Sequence, residues 1–94
     1  MIPHGIQFNS DVSAERLVRI AHVLKLPKET PERVVRYLGD LVKTINLPTK
    51  LSSQGVKESD IEELSRLALE DVCHACNPKP VTREDFRNIY RAAL

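Results

Sequence analysis

The segment Cys73-His74-Ala75-Cys76 is the densest group of side chains that could perform chemistry. Two thiols and an imidazole within four residues suit a structural zinc site, a redox-active dithiol or a covalent haem attachment. A zinc site needs two further ligands, and besides His74 the sequence offers only His4 and His22 as histidines. A haem attachment needs a histidine directly after the second cysteine, where Asn77 stands.

A redox-active dithiol is favoured where a helix N-terminus stabilises the thiolate. The helix predicted before this pair ends just ahead of Cys73, so the pair follows a helix C-terminus, whose dipole disfavours a thiolate. The remaining interpretation is two reduced, small, partly buried side chains at the exit from a helix to a loop. This structural interpretation is favoured over the three chemical ones, which stay as alternatives.

The other candidate groups favour structural roles. Glu62-Glu63 lies on a predicted polar helix face, and Glu84-Asp85 lies at a predicted helix start. His22 lies beside the apolar stripe of a predicted helix, where a lone histidine is more often a residue of the surface or of the core edge than a ligand. No glycine-rich phosphate loop and no nucleophile with a partnered base is recognisable. We therefore predict no catalytic, cofactor-binding or metal-ligating residue in this chain.

Helices must position these groups, because the apolar residues recur at helical spacing. After an irregular opening, residues 1–5, the spacing predicts a first helix from Ser13 to Lys25. Ser13 or Asp11 caps it, and Pro27 stops it. Its predicted apolar stripe is Leu17, Ile20, Ala21 and Leu24.

A second helix is predicted from Thr30, with Pro31 at its first position, to the prolyl break at residues 47–48. One short helical turn ending at Gly55 follows. The second helix's apolar stripe is Val34, Val35, Leu38, Leu41, Val42 and Ile45.

A third helix is predicted from about Glu58 to Asp71, and its apolar face is broad enough to indicate burial on more than one side. That face contains Ile61, Leu64, Leu67, Ala68, Leu69 and Val72. Prolines keep residues 77–80 out of a helix. Thr82 and Asp85 then form a capping box that opens the last helix. The fold class is all-α: four main helices plus one short helical turn, in a single domain over residues 1–94.

Length and composition exclude several classes of protein. Ninety-four residues are too few for a nucleotide-binding sheet plus a substrate domain. The net charge of +1 and the alternation of signs along each helix disfavour nucleic-acid binding, including by a helix-turn-helix. No apolar run approaches the ~20 residues that a membrane helix needs, and no signal peptide is recognisable. We therefore expect a cytoplasmic protein with neither nucleic acid nor membrane as a partner.

Three regions resemble iron-containing (group III) alcohol dehydrogenases, and because their order and spacing also match, the resemblance covers essentially all 94 residues. Ile2-Pro3-His4, followed by Phe8-Asn9, is similar to the family's segment just after its last metal-binding histidine. Leu47-Pro48-Thr49-Lys50-Leu51 is similar to the family's loop before a short turn. Residues 55–73 and the element Asn77-Pro78-Lys79-Pro80-Val81-Thr82 resemble the family's C-terminus.

The resemblance implies one piece of a two-domain oxidoreductase that interconverts alcohols and aldehydes with NAD(P) and Fe(II) or Zn. The metal ligands of the family, one Asp and three His, would all lie upstream of residue 1, and His4 matches a histidine that is not among them. The cofactor loop is also absent. Alone, the chain is expected to be inactive and to need no cofactor. The resemblance further implies that Cys73, His74, Cys76 and Asn77 approach the substrate cleft of a full-length member.

An alternative function is a stand-alone helical interaction module. A subdomain taken from a larger helical body exposes apolar faces, and such faces favour association, here as a homo-oligomer. The two hypotheses make different predictions for the isolated chain. The dehydrogenase hypothesis predicts no catalytic activity, and the interaction-module hypothesis predicts self-association at micromolar concentration.

Overall fold

The computed structural model describes all 94 residues and contains only helices. The fold class predicted from sequence, all-α, is confirmed, but there are five α-helices where four were predicted. The α-helices are α1 (Ile2–Asn9), α2 (Ala14–Val23), α3 (Pro31–Thr44), α4 (Ile61–Glu70) and α5 (Arg83–Ala93). Three short 3₁₀ helices cover Leu51–Gln54, Glu58–Asp60 and Val72–Cys76. None of these helices is long and apolar enough to cross a membrane.

The chain forms two compact units, residues 1–47 and 48–94. The single domain over residues 1–94 stays a prediction. In the first unit, α1 and α2 both pack on α3. The buried core consists of Leu17, Ala21 and Val34, with Ile6, Leu26 and Leu38 packed against it.

Helix α1 corrects the prediction that residues 1–5 are irregular. Pro3 lies in the first turn of α1, where a missing N–H removes no intrahelical hydrogen bond. The helix begins with a bond from the Gly5 amide to the Met1 carbonyl, 3.1 Å. Ile6 then packs against the core of the unit, so tertiary contact stabilises a segment whose proline and glycine argued against a helix.

The ends of α2 also differ from the prediction. Ser13 is the N-cap residue, but no side chain makes a capping hydrogen bond there. At the other end α2 stops at Val23, ahead of Pro27, because Lys25 adopts a left-handed conformation with φ of 54°. The Lys25 amide bonds to the carbonyl of His22, and the Leu26 amide bonds to that of Ala21 at 3.1 Å. This is a Schellman-type ending.

Helix α3 begins as predicted. The Thr30 hydroxyl accepts a hydrogen bond from the Arg33 amide at 3.2 Å, and Pro31 occupies the first turn. The helix closes with a second left-handed residue, Asn46. The predicted apolar stripes of α2 and α3 are only partly buried: Ile20, Leu24, Leu41 and Ile45 are exposed.

In the second unit α4 packs against α5, and the buried side chains are Ile61, Ser65 and Ala93. The predicted short turn is confirmed as the 3₁₀ helix Leu51–Gln54, which ends at Gly55 with φ of 87°. The predicted capping box of α5 is also confirmed. The Asp85 amide donates to the Thr82 hydroxyl at 3.1 Å, and the Thr82 amide donates to the Asp85 carboxylate at 2.8 Å.

Candidate functional site

The cysteine-containing segment is held by the residue that ends α4. Helix α4 stops at Glu70, and Asp71 has extended backbone angles. The Asp71 carboxylate accepts a hydrogen bond from the Cys73 amide at 2.9 Å, and this bond caps the 3₁₀ helix Val72–Cys76, hereafter the cysteine turn. The prediction that α4 continues to Asp71 and buries Val72 is wrong: Val72 is 80% exposed, because the chain changes direction at Asp71.

Both thiols of the cysteine turn are free and exposed. The expectation of partly buried cysteines is therefore wrong, and the reason is again the break at Asp71, which carries the pair off the end of α4. A hydrogen bond to the Asp71 carboxylate, together with its negative charge, raises the pKa of the Cys73 thiol. The same contacts lower the pKa of Asp71, above all the bond from the Cys73 amide.

His74 points back toward α4. Its Nε2 lies 2.9 Å from the carbonyl oxygen of Leu69. Because a carbonyl oxygen only accepts, Nε2 carries the proton, and in the neutral ring Nδ1 is left as an acceptor. The ring meets Phe86 of α5 edge to face, with centroids 6.0 Å apart at 80°. Two contacts thus fix the orientation of the imidazole.

Asn77 joins the cysteine turn to the loop that leads to α5. Its amide donates to the carbonyl of His74 at 3.1 Å, and its side-chain Nδ2 donates to the carbonyl of Lys79 at 2.8 Å. The second bond braces a segment in which Pro78 and Pro80 exclude helix. Asn77 therefore fixes the loop in place.

An open groove of about 380 Å³ follows this loop. Of the four residues predicted to approach a substrate cleft, His74 and Asn77 line it, whereas Cys73 and Cys76 do not. Lys79 and Val81 are lining residues that the sequence analysis missed. The sequence signal for these two residues was the alternation of proline with lysine and valine over residues 78–81. Such an alternation favours extended backbone, which places one basic and one apolar side chain along the same wall. The groove is lined by His74, Ala75, Asn77, Pro78, Lys79, Pro80 and Val81.

The zinc site considered from the sequence is not assembled. No group of three or more His, Cys, Asp or Glu side chains comes together anywhere in the chain. His22 is a surface residue, as predicted, with Nδ1 2.9 Å from the Glu29 carboxylate. His4 is half-buried in α1, and partial burial together with the charge of the N-terminus lowers its pKa.

The paired acids have structural roles, as predicted. Glu63 binds Arg66 one turn along α4 at 2.6 Å, and Glu84 binds Arg87 within α5 at 2.7 Å. Glu62 joins α4 to α5 by ion pairs with Arg83 and Arg87. These contacts lower the pKa of Glu62, chiefly through the hydrogen bond from Arg87. The acids thus serve helix packing and capping.

Comparison with known proteins decides the family. The model of the Fe-containing alcohol dehydrogenase family, C-terminal, matches residues 1–94, the whole chain. The chain belongs to this family. Among its curated relatives, the NADPH-dependent butanol dehydrogenase of Clostridium saccharobutylicum is 32% identical, over 95% of this chain and 25% of the relative. Lactaldehyde reductase of Escherichia coli K12 is 30% identical, over 99% of this chain and 26% of the relative.

A third family member, the NAD-dependent methanol dehydrogenase of Bacillus methanolicus, is 34% identical, over 99% of this chain and 26% of the relative. The crystal structure of a 1,3-propanediol oxidoreductase has the same fold, with a TM-score of 0.88 over 99% of this chain, 26% of that chain and 24% identity. The chain thus spans about a quarter of the length of the family members that it matches.

Iron in this family needs several ligating side chains held together. The resemblance implies a ligand set of one Asp and three His, but this chain brings no three potential ligands together. The names of two relatives, the butanol and the methanol dehydrogenase, specify NADPH and NAD, respectively.

Proposed function

We propose that this chain serves as the C-terminal helical part of an NAD(P)-dependent alcohol dehydrogenase that interconverts alcohols and aldehydes in the cytoplasm. The observation that carries the proposal is the family match over all 94 residues, together with relatives whose names all describe oxidation of an alcohol or reduction of an aldehyde. By itself the chain binds neither Fe(II), zinc nor NAD(P), and it turns over no alcohol.

The groove beside the cysteine turn is the part of this chain that meets substrate. Its wall combines apolar surface from Val81 and two prolines with polar groups on His74, Asn77 and Lys79. Substrate pockets combine an apolar lining with a few fixed polar groups in this way. His74 is oriented by Leu69 and Phe86, so Nδ1 is available to accept a hydrogen bond from a hydroxyl group.

In this arrangement the role of the chain is to bind and orient. A metal held by residues outside this chain would supply Lewis acid chemistry at the alcohol oxygen. The groove contributes an apolar proline wall and presents the fixed polar side chains of His74 and Asn77 to the substrate. Cys73 and Cys76 stand beside the groove and contribute no wall to it.

The test is a chimera in which residues 1–94 replace the matching quarter of the E. coli lactaldehyde reductase. The fused enzyme, loaded with Fe(II), should reduce lactaldehyde, whereas the isolated chain with the same metal and cofactor should show no turnover. A second chimera, made with the butanol dehydrogenase, is the control. If only one chimera is inactive, the cause is the point at which the two sequences are joined. Two folded, metal-loaded and cofactor-binding chimeras without activity would refute the proposal, and so would turnover by the isolated chain.

A second candidate function, self-association, rests on the apolar surface of α2. Val23 is 78% exposed and Ile20 45% exposed. They line an open groove of about 380 Å³ together with Leu24, Arg16 and Arg19. Exposed apolar surface of this kind favours a protein partner, and we propose a second copy of the chain as that partner.

Sedimentation velocity over the micromolar range tests this candidate. A dimer that dissociates on dilution and is lost in Val23→Lys, but kept in Val12→Lys, supports it. Val12 is also an exposed valine of the first unit but lies outside the groove, so it is the matched control. A chain that stays monomeric throughout the range contradicts it.

A further inference from the structure

The two cysteines occupy positions i and i+3 of one 3₁₀ helix. Such a helix has three residues per turn, so side chains three apart eclipse one another. Its rise of about 2.0 Å per residue separates the two Cα atoms by about 6 Å, within the ~4.4–6.8 Å range that a disulfide requires. In an α-helix the same two side chains would be rotated apart by about 60°. The cysteine turn thus stacks the two thiols on one face.

Both thiols are accessible. They are exposed and free, they belong to no group of potential metal ligands, and they do not line the groove. The backbone around them is bonded at both ends. The Asp71 carboxylate holds the Cys73 amide at 2.9 Å, and the Asn77 amide holds the His74 carbonyl at 3.1 Å. The thiols are therefore presented by a bonded turn.

The two cysteines do not belong to α4 itself. Helix α4 ends at Glu70, and the extended Asp71 separates that helix from the cysteine turn. The pair therefore lies on a separate 3₁₀ helix that follows the C-terminus of α4.

We propose that Cys73 and Cys76 form a dithiol that a small-molecule disulfide, such as oxidised glutathione, converts reversibly into an intramolecular disulfide. The proposal goes beyond the proposed dehydrogenase function and does not depend on it. In reducing compartments, disulfides of this kind are transient and serve as redox sensors.

The reaction proceeds by two thiol–disulfide exchanges. The Cys76 thiolate attacks one sulfur of the small-molecule disulfide, whose S–S bond breaks as a mixed disulfide forms, and the first small-molecule thiolate leaves with the proton that Cys76 gave up. Cys73 then loses its proton to water, and its thiolate attacks Sγ of Cys76. The bond between the two cysteines forms and the second small-molecule thiolate leaves and takes up a proton. Two protein thiols are oxidised, and one small-molecule disulfide is reduced to two thiols.

Asp71 sets the order of these steps. Its carboxylate accepts a hydrogen bond from the Cys73 thiol and raises the pKa of that thiol, so less Cys73 thiolate is present at neutral pH. Because only the thiolate attacks a disulfide, Cys76 reacts first and Cys73 closes the ring.

The 94-residue chain tests the proposal directly. It is equilibrated in mixtures of reduced and oxidised glutathione, quenched with acid, alkylated and weighed by mass spectrometry. The expected product has lost two thiol hydrogens and carries no glutathione. Its fraction should follow a two-electron curve against the glutathione redox potential, and dithiothreitol should convert it back to the dithiol. Persistent glutathione adducts, disulfide-linked dimers or unreacted thiols would each overturn the proposal.

Two serine variants test the order, and both sites are exposed, so the fold should survive, as circular dichroism can verify. Each variant should stop at the mixed disulfide, and Cys76→Ser should acquire glutathione more slowly than Cys73→Ser. The reverse order contradicts the sequence of steps.

Denaturant tests the geometry. The equilibrium constant for ring closure should fall by about tenfold in concentrated urea, since pre-oriented groups lose that advantage when the turn unfolds. Equal constants in the folded and unfolded chain would show that the 3₁₀ turn does not prepare the pair.

Discussion

Glu62 of α4 and Arg87 of α5 are joined by two parallel hydrogen bonds. Nε of Arg87 donates to Oε2 of Glu62 at 2.7 Å, and Nη2 donates to Oε1 at 2.8 Å. This fork is the bidentate geometry that arginine alone among the basic residues offers to a carboxylate. Arg83 contributes a further ion pair to Glu62, and Arg91 binds Glu58 at 2.9 Å. Ion pairs as well as apolar contacts therefore favour this register of α5 against α4.

This pair gives the chain an acid-dependent stability. Arg87 lowers the pKa of Glu62 below its ordinary value of 4.5 in the folded state. The stabilisation is complete above pH 4.5 and is lost as pH falls through the lower folded-state pKa. The urea midpoint, followed from pH 7 to pH 3, should fall less steeply in Glu62→Gln than in the parent chain.

Glu15→Gln is the matched control, because Glu15 is an exposed helical carboxylate without an ion pair. It should keep the parent pH dependence. The effect of Glu62→Gln should be small and should shrink with added salt, since both partners are exposed to water. Identical pH profiles for Glu62→Gln and the parent would contradict the role assigned to the fork.

The two helix starts at Thr82 and Ser13 should respond differently to alanine. The Thr82 hydroxyl accepts the Asp85 amide, so Thr82→Ala should lower the free energy of unfolding by about 1 kcal/mol. Ser13 makes no side-chain capping bond, so Ser13→Ala should change it by less than ~0.5 kcal/mol. Urea unfolding followed by circular dichroism measures both, and equal losses would contradict the assignment of the caps.

These caps also show what local sequence can and cannot predict. Thr30 with Pro31 and Thr82 with Asp85 are helix starts whose bonds form within four residues, and both were predicted correctly. Helix α1 was missed because its stability comes from Ile6 against the core, a contact distant in sequence. The end of α2 was misplaced because a lysine takes the left-handed position for which glycine is the usual signal.

The site was predictable only in part for the same reason. His74 and Asn77 line the groove as predicted from the resemblance. The positions of the residues around them depend on the end of α4 at Asp71, which the sequence pattern did not predict. A helix pattern that continues past Glu70 places Val72 on the buried face and predicts partly buried cysteines. The new direction of the chain at Asp71 is stabilised by a local hydrogen bond from the Cys73 amide to the Asp71 carboxylate. The spacing of apolar residues does not predict such a bond.

The left-handed residue at the end of α2 is expected to cost stability. Lys25 has φ of 54°, a conformation that penalises a side chain with Cβ by about 1–2 kcal/mol relative to glycine. Lys25→Gly should therefore raise the free energy of unfolding by about 1 kcal/mol, net of the extra entropy of glycine in the unfolded chain. Asn46→Gly, at the corresponding position after α3, should gain less because asparagine tolerates this conformation. A larger gain at Asn46 would contradict this explanation.

The Asp71 carboxylate should slow the reaction of Cys73 with electrophiles. It raises the pKa of the thiol, so less thiolate is present at neutral pH. In a Cys76→Ser background, Asp71→Asn should accelerate alkylation by iodoacetamide at pH 7 and shift the pH–rate profile to lower pH. Asp11→Asn, an exposed aspartate in the other unit, should leave the profile unchanged. A slower alkylation of Cys73 in Asp71→Asn would contradict the effect assigned to the Asp71 carboxylate.

His74 offers the sharpest test of the substrate groove, because a matched histidine exists in the same chain. In the lactaldehyde reductase chimera, His74→Ala removes a groove wall whose orientation is fixed by Leu69 and Phe86. We expect kcat/KM to fall by roughly ten- to a hundredfold, since misplacing a substrate at the reacting centre has that effect. His22→Ala, exposed in the first unit, should leave kcat/KM unchanged. Equal effects of the two substitutions, with iron content and cofactor affinity preserved, would place the substrate elsewhere.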